Sequence, residues 1–304
     1  MVDLRINIGK LKLKNPLMVA SGTFGYAEEF AAFLDLRRLG AMVTKTITLK
    51  ARQGNPPPRT CETPAGLLNS IGLENPGWEV FVQEKLPPLV KIGVPIILSV
   101  ASEAGEGEFV ELVRRADKIK TIAAVELNIS CPNIRTQPLL ISQDPRHTYE
   151  MVRAVRKVTK KILITKLSPN VTDIAKIALA AERGGSDAVS LINTITAMSI
   201  DVETRQPKVA AVIAGLSGPA IRPIAVRMVW EVYQQVHIPI IGMGGIMDTQ
   251  SALEFMLAGA SAVCIGTANF INPRVSSEII QGIRQYLREN KIGDIKTLIG
   301  SLKV

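Results

Sequence analysis

Eight short runs of β-branched and aliphatic residues, each closing on or beside a Gly, Ser, Asn or Lys, constrain this chain more than any other feature. They span residues 16–21, 42–46, 95–100, 124–129, 162–167, 188–193, 239–242 and 262–265. Segments of helical periodicity separate them, and such strand–helix alternation builds a parallel sheet. Eight units predict closure into a (β/α)8 TIM barrel of the α/β class. At 304 residues the chain exceeds the roughly 250 typical of that architecture. One domain over residues 1–304, with elaborated loops at its C-terminal face, is therefore expected. With 47% hydrophobic and 21% charged residues, the chain has the apolar side chains such a core needs.

Local signals agree with the alternation. A helix is expected over 172–183 after the turn Ser168-Pro169-Asn170, and another over 249–257 behind Asp248, a good N-cap. Gly184, Gly185 and Gly259 stop them. The longest irregular segments, 49–75, 132–146 and 195–218, all come after strands, which gathers them over the mouth where barrel enzymes place their active sites. A doubly wound dinucleotide fold would carry Gly-x-Gly-x-x-Gly after its first strand, and none is present.

Several function classes are disfavoured. No apolar stretch approaches the roughly 18 residues of a membrane span, and the start lacks a signal-peptide pattern, so a cytoplasmic protein without membrane contact is expected. Cys61, Cys131 and Cys264 are far apart with no Cys-x-x-Cys, which argues against a disulfide framework, a zinc site or an iron–sulfur cluster in this chain. With only His147 and His237, the latter leading into the seventh run at the stability face, no metal site is expected. The net charge of +9 fits a nucleic-acid surface, an acidic partner or lysine-rich helices such as Arg153, Arg156, Lys157, Lys160 and Lys161. No basic run is interleaved with aromatics for base stacking, which favours a solvated face and no nucleic acid.

The chemistry concentrates at strand ends. The last two runs lead into Gly242-Met243-Gly244-Gly245 and Gly266-Thr267-Ala268, small residues that expose backbone N–H groups to an anion and suit the phosphate of a cofactor or substrate. Lys45 and Lys166 close otherwise apolar runs, so their ammonium groups need an anionic or polar partner or a route to solvent. Asn69, Asn128 and the pair Asn193-Thr194 bring fixed donor and acceptor patterns suited to a small planar polar ligand. The fourth run ends Asn128-Ile129-Ser130-Cys131-Pro132-Asn133, which puts a thiol at the mouth as candidate base or nucleophile. Cys264, inside the eighth run, reads as a buried hydrophobe.

Together these motifs resemble the class 1 dihydroorotate dehydrogenases, flavin enzymes of pyrimidine biosynthesis. The resemblance is carried in order by Ala20-Ser21-Gly22-Thr23-Phe24, Thr44-Lys45-Thr46, Asn69-Ser70-Ile71-Gly72-Leu73, the Asn128–Asn133 stretch and Lys166-Leu167-Ser168-Pro169-Asn170. It continues through Asn193-Thr194, Gly215-Leu216-Ser217-Gly218 and the two glycine turns. Residues 191–194, 200–205 and 218–221 are most similar to class 1B.

The resemblance implies FMN across the mouth, with its phosphate at Gly244, Gly245, Gly266 and Thr267, Gly218 closing nearby, and Ser21, Lys45, Thr46, Ser99, Asn128, Lys166 and Ile192 along the ribityl chain and ring. It implies dihydroorotate held by Lys45, Asn69, Ser70, Ile71, Gly72, Leu73, Asn128, Asn193 and Thr194, with Cys131 as general base for the C5 proton while the C6 hydride leaves to the flavin. It further implies a homodimeric core within a heterotetramer, whose second subunit carries FAD and [2Fe–2S] and delivers electrons to NAD+. Two departures stand out. Ser99 occupies a position where the family usually has asparagine, and residues 134–140 lack the Gly-Gly and Phe-Gly elements common in class 1B. The competing readings are a tRNA-dihydrouridine synthase, disfavoured because little chain follows Gly266, and a catalytically silent barrel serving as a binding subunit.

Overall fold

The computed structural model describes residues 2–102, 104–129 and 141–304. Eight parallel strands close the barrel: β1 Leu17–Val19, β2 Ala41–Val43, β3 Ile96–Val100, β4 Ile122–Asn128, β5 Ile162–Lys166, β6 Ala188–Leu191, β7 Ile240–Met243 and β8 Ala262–Ile265. Each pairs with its sequence neighbours, and β8 pairs with β1. Every expected strand is present. These strands are buried on both faces, which explains their near-continuous apolar runs.

Helices Glu106–Asp117, Pro145–Arg156, Ile174–Gly184, Arg222–Tyr233, Thr249–Leu257 and Val275–Glu289 follow β3 to β8 in turn. Asp173 caps Ile174–Gly184 by accepting from Lys176 N at 3.1 Å, so that helix starts two residues later than its pattern suggests. Asp248 and Ser251 form a reciprocal capping box on Thr249–Leu257. After β1 the expected helix is replaced by the 3-10 turns Glu28–Phe30 and Leu36–Arg38. Gly25 at φ +52° and Ala27 at φ +70° adopt left-handed backbone there, which breaks a helix.

Two further departures from the sequence pattern shape the ends of the barrel. A hairpin of Ile6–Ile8 and Leu11–Leu13 lies at the N-terminal end, where a Cβ on Gly9 would stand 3.2 Å from Ile162 Cδ1. At the opposite end, segments 49–75 and 195–218 are not irregular: Thr60–Thr63, Gly66–Asn69, Ala214–Ser217 and Ile195–Ala197 form one antiparallel sheet, with Gly66–Asn69 paired to Ala214–Ser217. These strands are three or four residues long, too short for a clear alternation, and the pairing that joins the two hairpins comes from opposite halves of the chain.

The basic cluster of the Pro145–Arg156 region is only partly a solvated face. Arg156 Nη1 pairs with Asp187 at 2.8 Å, and Lys161 Nζ donates to the carbonyls of Ile119 and Ile122 at 2.9 and 2.7 Å. Both cations tie together the lead-ins of β4, β5 and β6. No described helix is long and apolar enough to cross a membrane.

Candidate active site

The barrel mouth is built by strand ends that stay polar after apolar stems. Beyond β2, Thr44 N bonds to Ile97 O and Ile47 N to Ser99 O, while between them Lys45 N turns away to Gly25 O. Lys45 thus leaves the barrel ladder just beyond β2, and it does not line the cavity at the mouth. Burial holds its ammonium below the ordinary lysine value of 10.5, with Glu74 opposing the shift and Arg59 adding to it. Beyond β6, Ile192 N bonds to Met243 O and Asn193 N to Leu167 O, which carries the backbone on between β5 and β7 to present Asn193 and Thr194.

One cavity at this mouth brings together Lys166, Ile192, Asn193, Thr194, Asn69, Ile71, Gly218, Gly244, Gly245, Gly266 and Thr267. Lys166 is its only charged lining residue, and no carboxylate faces it among the described residues. The electrostatics therefore favour an anion. Gly244 at φ +127° and Gly245 at φ +75° need glycine, and a Cβ on Gly245 would stand 2.7 Å from Gly218 O. Gly266 differs: an added Cβ would meet nothing within 4 Å, although the residue lines the cavity. Thr23 Oγ1, in the same lining, is buried without a hydrogen-bond partner. A floor of glycines around open space, an orphaned hydroxyl and a single cation suit a phosphate-bearing cofactor.

The four-stranded sheet is the roof. Asn69 Nδ2 donates to Gly215 O at 3.3 Å, and Asn170, from the loop after β5, accepts from Thr196 N at 2.9 Å and donates to Thr194 O at 3.1 Å. Ser70, Gly72 and Leu73 do not line the cavity itself. Their loop is fixed from outside: Asn55 Nδ2 donates to Ser70 Oγ at 2.7 Å, Arg52 Nε to Gly72 O at 3.2 Å, and Asn75 Oδ1 accepts from Gly77 N at 2.9 Å.

Beneath the cavity lies a polar layer inside the barrel. Thr46, Ser99, Glu126, Asn128 and Ser190 are all buried there, and Ser21 is likewise buried, after β1. Ser99 has no exposed surface, and both partners of its hydroxyl are protein groups, Thr46 Oγ1 at 2.9 Å and Glu126 Oε1 at 3.1 Å. Cys264 is fully buried in β8, where desolvation, reinforced by Glu126 and opposed by Lys166, pushes its thiol far up and leaves it inert. His237 is exposed at the lead-in to β7, and His147 sits in the first turn of Pro145–Arg156. No cluster of His, Cys, Asp and Glu able to hold a metal occurs among the described residues.

Cys131 lies outside the described residues, as do Ser130, Pro132 and Asn133. β4 ends at the mouth with Asn128, whose register partner on β5 is Lys166, and Ile129 is the last described residue before the motif. Sequence reasoning passed over Thr60, Leu67, Ile246, Met247 and Phe270 as lining residues. Apolar side chains in a wall carry no chemical signal, and Thr60 arrives only through the unforeseen sheet.

The model of the family described as dihydroorotate dehydrogenase matches residues 3–287. A protein of Desulforudis audaxviator named dihydroorotate dehydrogenase B (NAD(+)), catalytic subunit, is 53% identical over 300 residues, 99% of this chain and 97% of its own. The protein of the same name from Thermoanaerobacter pseudethanolicus is 51% identical over 303 residues, covering 100% of both chains. That from Geotalea uraniireducens is 50% identical over 300 residues, 99% of this chain and 98% of its own.

Proposed function

The chain belongs to the dihydroorotate dehydrogenase family, and on that premise we propose that it is the FMN-bearing catalytic subunit of an NAD+-linked enzyme that oxidises (S)-dihydroorotate to orotate in pyrimidine (UMP) biosynthesis. The observation that carries the reading is the cavity itself: among the described residues, one cation, Lys166, and no carboxylate, with a floor of glycines and the amides of Asn69 and Asn193 on the same space. Residues 1–304 act as one FMN-binding barrel domain, at work in the cytoplasm.

Gly244, Gly245, Gly266 and Thr267 hold the FMN phosphate with Gly218 beside them, and Ser21, Lys45, Thr46, Asn128, Lys166 and Ile192 serve the ribityl chain and ring. Ser99 serves the cofactor side through Thr46, the group its hydroxyl touches. Bound FMN supplies a hydride acceptor for the C6 hydrogen of dihydroorotate. The protein's own part is positioning and charge. Lys45, the segment Asn69–Leu73, Asn128, Asn193 and Thr194 bind the planar polar ring and its carboxylate, the roof sheet excludes water, and Cys131 takes the C5 proton on its thiolate. The Lys166 ammonium stabilises negative charge as it develops at the mouth.

The reading also assigns a partner. With no cysteine cluster in this sequence, onward electron transfer falls to a second subunit carrying FAD and [2Fe–2S], assembled on a homodimeric core as a heterotetramer. Acid release from the purified chain should yield one FMN per barrel, and dihydroorotate should reduce NAD+ only when that partner is added. Release of no flavin, or NAD+ reduction by the chain alone, contradicts the assignment.

A further inference from the structure

Glu126 is the only acidic residue on the eight barrel strands, and at 1% exposure its burial needs a reason. It sits on β4 two residues before Asn128 and therefore on the same face of the strand. Ser99 Oγ donates to its Oε1 at 3.1 Å and Ser190 Oγ to its Oε2 at 3.0 Å. In both bonds the hydroxyl is the donor and the carboxylate oxygen the acceptor. The single proton of Ser99 is thus committed to Glu126, so in the 2.9 Å contact between Ser99 and Thr46 the donor must be Thr46. Thr46 Oγ1 is then left as an acceptor on its other side, where Asn128 Nδ2 lies at 3.5 Å. The far end agrees. Asn193 Oδ1 accepts from Thr194 N at 2.9 Å, which turns Asn193 Nδ2 toward Asn128 Oδ1 at 3.3 Å.

We infer that Glu126 is a positioning residue whose carboxylate, acting through Ser99 and Thr46, fixes which edge of the Asn128 amide carries the donor and which the acceptor. A terminal amide has two nearly isosteric orientations, and only its hydrogen-bond partners choose between them. The one-way order Asn193, Asn128, Thr46, Ser99, Glu126 removes that freedom. The mouth then offers a ring ligand one donor–acceptor pattern instead of two. Glutamine at 126 keeps the shape but also donates, which leaves Ser99 free to point either way and releases the order. This inference rests on the reading of Asn128 as a contact for dihydroorotate and orotate.

The test is orotate binding by calorimetry to the flavin-loaded protein, with wild type, Glu126→Gln, Ser99→Ala and the double variant, each checked for flavin content and melting temperature. Each single change should weaken orotate about fivefold, the value of one hydrogen bond near 1 kcal/mol, and the double variant should be no weaker than either single one, because both cut the same chain. Additive losses, or wild-type affinity in both single variants, overturn the relay. Weakening that tracks loss of melting temperature or of flavin would show a merely structural role and overturn it as well. Wild-type protein that binds no orotate instead contradicts the functional reading on which the relay rests.

Discussion

Gly215 packs against Thr194 so closely that a Cβ on the glycine would stand 2.1 Å from the threonine Oγ1. The two residues belong to the facing strands of the roof, Ala214–Ser217 and the lead-in to Ile195–Ala197, and Gly215 O also receives the amide of Asn69. Gly215→Ala therefore has to push Thr194 out of place. A displacement near 1 Å at a positioning group costs up to about 10²-fold in rate. The expected result is a drop in kcat/KM for dihydroorotate of about tenfold or more, with the melting temperature of the barrel little changed, since the buried roof residues Leu68 and Ala214 belong to a small cluster separate from the barrel core. Steady-state kinetics beside thermal melting checks it.

The phosphate floor yields a paired prediction. Gly266→Ala introduces a methyl group into space that no protein atom occupies, so stability should stay within about 0.5 kcal/mol of wild type. The same methyl group meets whatever lies on that floor, and retention of FMN through gel filtration should fall sharply. Gly245→Ala, by contrast, forces a side chain onto φ +75° and against Gly218 O. It should cost about 1–3 kcal/mol of stability as well as flavin. Equal melting losses in both variants would contradict this placement of the open floor.

Lys45 should give binding a distinctive alkaline limb. Burial holds its ammonium below the ordinary lysine value of 10.5, so the charge that attracts a carboxylate ligand is lost as pH rises through that lowered value. Orotate affinity should decline below pH 10.5, and Lys45→Arg, which stays charged, should remove the decline. Stability of the ligand-free protein moves oppositely. The unfolded lysine binds its proton more tightly than the folded one, so this group's contribution rises with pH from the lowered value up to 10.5.

Much of this organisation is legible in the residues. The eight apolar runs, Asp248 and the glycine stops announce the barrel, and the polar residues closing those runs announce its mouth. The roof sheet is not legible as a whole, because its two short hairpins become one sheet only when Gly66–Asn69 pairs with Ala214–Ser217 from the other half of the chain. The inner polar layer is obscured for another reason. Glu126 and Ser190 interrupt apolar strands as single residues, and only their meeting across the barrel, with Ser99 between Glu126 and Thr46, makes them a network. Ser99 illustrates the point: its hydroxyl bridges Thr46 and Glu126, a link that no sequence pattern announces.

Asp248 carries a stability prediction that is independent of the active site. Its carboxylate accepts from Ser251 N at 2.8 Å and is held below its ordinary value of 3.8, chiefly by that bond. Asp248→Ala should cost about 1 kcal/mol. The contribution is present above pH 3.8 and lost as pH falls through the lowered value, so Asp248→Asn, still a good cap, should keep most of the stability while flattening the acid side of the profile. Urea unfolding across the acid range measures both.

The most direct test of the central claim is anaerobic rapid mixing of the yellow protein with dihydroorotate, following the flavin absorbance in wild type and in Cys131→Ala. Wild type should bleach quickly. The alanine variant should bind orotate and keep its flavin but bleach slower by about 10² or more, since it lacks the base; Cys131→Ser should recover part of the rate only at raised pH. An absorbance that dihydroorotate leaves untouched in wild type, or one that bleaches equally fast without Cys131, would contradict the account.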